Sequence, residues 1–324
     1  MIGEAVAVAG ERVASAARHA TVDHAAAAAI DIRKLSLPVA GATLTLTHWA
    51  IRAGETVALI GRNGIGKTSV MEAILGLRDG VAIEGTMLGT DLRRWRRKPA
   101  LRKRLGVQLQ RSAFPGRPRV KEIVALHRTL FDRTSPAVME ALGIEALSGK
   151  LYEFLSRGET QRVDLFLAMA HEPEVLFLDE PFTGLDSNYS RALASLIAGA
   201  TRTTTVLCCH TTEELALADR IAWLTPEGIA RFEAPEALRK SLVGDYRLVA
   251  ECDGAAAVAA VLALVARHDH PVRSTLAGTR ITMACEHPVA ELARVLVDRA
   301  DVLGVETGRT SMIDVLRHCA KGEA

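Results

Sequence analysis

The segment Gly61-Arg62-Asn63-Gly64-Ile65-Gly66-Lys67-Thr68 follows the apolar run Thr56-Val57-Ala58-Leu59-Ile60, so a buried strand breaks into a glycine-rich turn that ends on a lysine and a hydroxyl. A chain with this segment is constrained to a strand–loop–helix unit in an α/β layer, with the loop shaped around phosphate. Glycines at 61, 64 and 66 admit backbone conformations closed to other residues, which lets successive N–H groups converge on an anion. Lys67 is placed to reach the β- and γ-phosphates and the Thr68 hydroxyl to ligate Mg2+. The helix opened by Thr68 and Ser69 aims its positive N-terminus at the same anion.

A second element has the matching chemistry. Val175-Leu176-Phe177-Leu178 is continuously apolar and ends on Asp179 and Glu180. A strand buried on both faces reads this way, and ligands gather at the carboxyl ends of such strands. Asp179 is placed to hold Mg2+ and Glu180 to polarise an attacking water. Ahead of the cradle, the alternation in Ala42–Trp49 has the period of a half-buried strand and predicts an antiparallel β layer, with Trp49 in its core.

Between the two nucleotide elements, Leu155-Ser156-Arg157-Gly158-Glu159 opens a helical run. Ser156 with Glu159 three residues on reads locally as a capping box. Its position 23 residues before Asp179 adds a second meaning, for here the chain resembles the nucleotide-binding subunits of ABC transporters, over roughly residues 31–240. That resemblance implies a P-loop NTPase (RecA-like) core with an antiparallel β layer and a helical subdomain. It also implies ATP and Mg2+ as ligands, and Gln110 as the loop glutamine that senses the γ-phosphate and metal; Gln108 competes, but the strand-end position favours Gln110. By the same resemblance Asp186 belongs to a loop that crosses a dimer interface, and His210 is the switch histidine at the γ-phosphate. Two such domains are expected to pair head to tail, with Ser156, Gly158 and Glu159 of one facing the nucleotide held by Gly61–Ser69 of the other. The remaining partner implied is a multi-span membrane permease subunit, which places the chain peripherally on the cytoplasmic face of the plasma membrane.

Three departures from the family pattern stand out: Arg157 and Glu159 in place of a glycine and a glutamine, Arg62 in the cradle, and Leu37-Pro38-Val39 where an aromatic ring commonly stacks on adenine. Loss of such a ring weakens nucleotide binding by roughly 1–3 kcal/mol. Residues 93–104 hold eight basic side chains in twelve positions. They read as an arginine-rich solvated helix, with anionic lipid or an acidic partner as the second reading, and no nucleic acid is expected. His268-Asp269-His270, without a third nearby ligand, reads as a polar turn rather than a metal site.

Composition bounds the rest. With 324 residues, 49% of them apolar, the chain suffices for a main domain and a smaller one. A net charge of +2 gives no overall bias toward nucleic acid, and five cysteines without a CxxC pair fit a reduced compartment. Residues 1–30 read as an alanine-rich extension rather than a signal peptide, 31–240 as the nucleotide-binding domain, and 241–324 as an accessory domain of β-α-β-β-α-β order, a small α+β ferredoxin-like fold. The closing Thr310–Leu316 resembles the tail of ABC-2-type exporter ATPases, so the expectation is an ATPase that powers export. The alternative is a soluble or regulatory ABC ATPase uncoupled from transport.

Overall fold

In the computed structural model the described residues are 28–109, 114, 116–267 and 272–321, and they divide into two compact units with the boundary in the chain between Phe232 and Glu233. The N-terminal extension up to residue 27, Gln110 and the 268–270 triplet lie outside the described residues.

The first unit is built on two sheets. Strands β1 (Ala28–Val39) and β2 (Ala42–Arg52) form a long hairpin, with β3 (Thr56–Ile60) entering the second sheet. Alternation buries Ile30, Ile32, Leu35 and Leu37 on one face of β1, and Leu44, Leu46, Trp49 and Ile51 on β2. Trp49 sits 1% exposed and meets Phe232 edge-on at 6.2 Å. The hairpin is extended by β4 (Ala82–Met87) and β5 (Thr90–Asp91) into an antiparallel sheet of order β2-β1-β4-β5.

Helix α1 (Lys67–Ile74) follows β3 and buries Val70, Met71 and Ile74 in the same core. The basic segment then departs from the expected single helix. A 3-10 turn, Trp95–Arg97, precedes the short α2 (Pro99–Arg102), and Lys98 between them is extended at φ −111°, ψ 95°. Pro99 explains the break, because its ring disfavours helical geometry in the preceding residue while suiting a first helical turn. Trp95 is buried, and Arg94, Arg97, Lys98 and Arg102 remain on the surface.

The second sheet has the order β10-β9-β3-β8-β7-β6, made by β6 (Leu105–Gln108), β7 (Val175–Asp179), β8 (Thr204–Cys208), β9 (Arg220–Thr225) and β10 (Gly228–Glu233). Strands β6, β7, β8, β3 and β9 pair parallel in succession. Between β6 and β7 lies the helical part, α3 (Val120–Leu130), α4 (Pro136–Ala141) and α5 (Arg157–Met169). Helices α6 (Ser187–Gly199) and α7 (Thr212–Leu215) follow β7 and β8. Strands β3, β7 and β8 end at one edge, and that edge is where ligands of open parallel sheets collect.

The second unit comprises α8 (Pro235–Val243), β11 (Tyr246–Cys252), α9 (Ala255–Val265), β12 (Arg273–Ala277), β13 (Arg280–Cys285), α10 (Ala290–Val297), β14 (Val302–Arg309) and α11 (Met312–Lys321). Its sheet runs β12-β13-β11-β14, antiparallel throughout, which is the split β-α-β arrangement of a ferredoxin-like fold. Leu248, Ala250, Val261, Ile281, Met283, Leu292 and Leu296 form its core.

Candidate functional site

The cradle takes its shape from backbone more than from side chains. Gly66 stands at φ 109° as the residue that caps α1, and a glycine offers no side chain to cap the N–H groups of that first turn. A Cβ on Gly66 would lie 3.0 Å from the Val39 side chain, so a glycine is needed both for the left-handed conformation and for the approach of the β1–β2 tip. The loop closes around Lys67, whose Nζ donates to the carbonyls of Gly61 at 2.9 Å and Arg62 at 3.2 Å. Burial holds the Lys67 pKa below its ordinary value, opposed by the negative charge of Glu180 and Asp179. Arg62, Asn63 and Gly64 are exposed, Ile65 packs half-buried on the core, and Ser69 is half-buried on α1.

The Thr68 hydroxyl donates to Asp179 Oδ2 at 2.6 Å, which joins the start of α1 to the end of β7. A hydroxyl and a carboxylate oxygen held together are hard donors of the kind Mg2+ takes along with phosphates, so the residues present fit that ion. Glu180 follows at φ 48°, a left-handed conformation that costs a non-glycine residue roughly 1 kcal/mol or more. Its Oε1 lies 3.0 Å from His210 Nε2. His210 comes off the end of β8, where Cys208 and Cys209 are buried and burial pushes both thiols well above their ordinary pKa.

A second cluster forms around the loop after β7. Ser156 caps α5, accepting from Glu159 N–H at 3.3 Å, while Glu159 Oε2 accepts from Ser156 N–H at 3.0 Å. Glu159 is also bonded by Lys150 Nζ at 2.6 Å, which with the Ser156 bond lowers its pKa. Gly158 abuts this loop so closely that a Cβ would lie 2.5 Å from the Gly184 carbonyl oxygen. Asp186 caps α6, accepting from Asn188 and Tyr189 N–H at 2.9 and 3.1 Å. A cavity of about 400 Å3 opens between the clusters, lined by Gln108, Arg157, Thr160, Gln161, Asp179 and Glu180 among others.

The structure thus gathers Gly61–Ser69, Asp179, Glu180 and His210 at one sheet edge, and Ser156, Gly158, Glu159 and Asp186 at two neighbouring helix starts. Gln108 is 6% exposed and lines the cavity with its Oε1 unpartnered among the described residues. Pro38 and Val39 occupy the tip of the β1–β2 hairpin, whereas Leu37 points into the core. Sequence reasoning missed Glu214, which is 6% exposed and accepts from the N–H groups of His210 and Thr211. Its signal was present, since Thr211-Thr212-Glu213-Glu214 carries the capping-box spacing.

Comparison with known proteins adds to this geometry. Residues 44–183 match the sequence profile of a family described as ABC transporter. A sulfate/thiosulfate import ATP-binding protein of Mycolicibacterium paratuberculosis is 30% identical over 287 residues, 82% of this chain and 75% of that protein. An Fe(3+) ions import ATP-binding protein of Rhodococcus jostii is 30% identical over 216 residues, and the match spans 64% of this chain and 62% of the length of that relative. A solved structure described as the ATP binding subunit of an ABC transporter superposes with a TM-score of 0.58 at 20% identity, covering 65% of this chain and 92% of that one. The last comparison shows the shared fold.

Proposed function

The chain belongs to the family of ABC transporter ATP-binding proteins, and on that premise we propose that it binds and hydrolyses ATP to drive a separate membrane permease. One observation carries this reading: Lys67, Thr68, Asp179, Glu180 and His210, drawn from three strand ends, converge on one edge of a parallel sheet. In the reaction, Lys67 and the open N–H groups of α1 hold the phosphates and offset their charge. Glu180 orients the attacking water and accepts its proton, and His210 fixes the direction of the Glu180 carboxylate. When bound at Thr68 and Asp179, Mg2+ supplies neutralisation of phosphate charge.

Ser156 and Gly158 lie at the start of α5, whose N-terminus suits an anion. We assign them to the nucleotide of a second copy or a paralogous domain, in a head-to-tail pair. No helix among the described residues is long and apolar enough to cross a membrane, so transport in this reading needs the permease. Both relatives described above are named for import, of iron and of sulfate or thiosulfate. The export direction expected from the closing segment has no support from them. That segment starts α11 through Ser311 and Asp314, which explains its residue pattern as a helix opening without reference to direction.

Purified protein assayed for Mg-dependent ATP hydrolysis tests the reading. Lys67→Ala is expected to lose ATP binding and turnover together; a variant that binds and hydrolyses like wild type would sink it.

A further inference from the structure

The Thr211–Glu214 capping box leaves one observation unexplained. A capping box requires the acidic side chain to reach the backbone N–H of the capping residue, here Thr211, and that bond is the longer one at 3.2 Å. The shorter, at 2.6 Å, comes from the N–H of His210, one residue before the cap. The helix it opens is a single turn of four residues, and the carboxylate that caps it is only 6% exposed. Burial raises the Glu214 pKa, the N–H bonds from His210 and Thr211 pull it back down, and the negative charge of Glu180 adds a smaller rise.

We propose that Glu214 is a positioning residue, whose buried carboxylate clamps the backbone at His210 and Thr211 so that the His210 ring meets Glu180. The inference rests on the reading of this site as an ATP hydrolase. On one side of His210 the chain is fixed by β8 and the buried Cys209, and on the other by the two bonds to Glu214. Between these anchors the side chain alone is free to move, and it is turned to Glu180 Oε1 at 3.0 Å. Glu180, itself held at φ 48°, therefore faces a histidine whose main chain cannot retreat. A histidine that directs the Glu180 carboxylate at each turnover works best when its main chain is preorganised in this way.

Kinetics of Glu214→Ala, Glu214→Gln, His210→Ala and the Glu214→Ala/His210→Ala double variant test the clamp. Glu214→Ala should lower kcat by on the order of tenfold or more while KM for ATP stays within about threefold. Glu214→Gln keeps an oxygen that accepts both bonds and should recover most of that loss. The double variant should be no slower than His210→Ala, because both changes remove one unit. A crystal structure of Glu214→Ala should show His210 Nε2 out of hydrogen-bonding reach of Glu180. Wild-type kcat in Glu214→Ala, a glutamine variant as slow as the alanine one, or losses that multiply in the double variant would each overturn the proposal. If the wild-type chain hydrolyses no ATP, the functional reading fails, and the crystal structure still decides the clamp: a His210 ring that stays on Glu180 overturns it.

Discussion

At the residue scale, most of the cradle was legible because its determinants are local. Glycines, a lysine and a hydroxyl in eight consecutive positions specify the turn with no need of distant partners. The contacts that join distant segments were less legible. Thr68 and Asp179 were expected at one Mg2+, but nothing in the spacing says that their side chains would bond directly across 111 positions, or that Glu214 would bond the His210 backbone more closely than its own cap. Gly158 shows how a residue expected to face phosphate can also have a steric duty. Since a Cβ there would lie 2.5 Å from the Gly184 carbonyl, Gly158→Ala should push α5 away from the loop that leads to Asp186. The expected outcome is a lower melting temperature, from a clash costing about 1–3 kcal/mol, together with reduced ATP turnover. Calorimetry that finds the melting temperature unchanged would contradict the close packing.

Elements follow their sequence patterns where burial is periodic, and depart where a single residue interrupts. Alternation in β1 and β2 and the apolar runs of β3 and β7 read directly as half-buried and fully buried strands. The basic segment is split into a 3-10 turn and a short helix at Pro99. The packing of α3 on α5 carries a feature that composition hides, an aromatic stack with two histidines inside. His127 is 2% exposed with its ring 4.6 Å from Phe131 and 5.1 Å from Phe166, and His171 stacks on Phe131 at 4.0 Å. Burial, with the nearby His171 and Arg128, pushes the His127 pKa down to about 4. The folded state therefore favours the neutral ring. Its contribution to stability is present above the unfolded pKa, near 6.5, and is lost as pH falls from there toward about 4. Loss on the order of 3 kcal/mol is expected across that window, and burial of His171 acts in the same direction. Urea unfolding of wild type and His127→Leu at about pH 7 and about pH 4.5 measures it. The variant should show a weaker pH dependence, and equal slopes for the two would remove His127 from the account.

At the scale of the whole molecule the chain divides into two compact units, and the bonds that tie α8 to the second of them are long-range. The expected limit of the nucleotide-binding domain, residue 240, falls within α8, whose Arg239 donates to Asp245 Oδ1 at 2.7 Å, to the Gly244 carbonyl at 2.8 Å and to Thr310. Those partners lie in the second unit, and a bond across 71 residues leaves no local trace. We therefore expect residues 233–321, expressed alone, to fold cooperatively, and the same piece begun at residue 245 to lose stability. Thermal melts of the two fragments check this, and equal melting temperatures would argue that α8 adds nothing. The first unit bears the proposed chemistry, but its Ser156 and Gly158 are assigned to a second domain's nucleotide, so hydrolysis by this chain should depend on pairing. The most direct measurement is specific Mg-ATPase activity as a function of protein concentration, for wild type and for Glu180→Gln. The account predicts that wild-type specific activity climbs with concentration, and that Glu180→Gln loses turnover by on the order of 10²-fold or more while ATP now holds it as a dimer. A specific activity independent of concentration, or a Glu180→Gln variant that turns over like wild type, would contradict it.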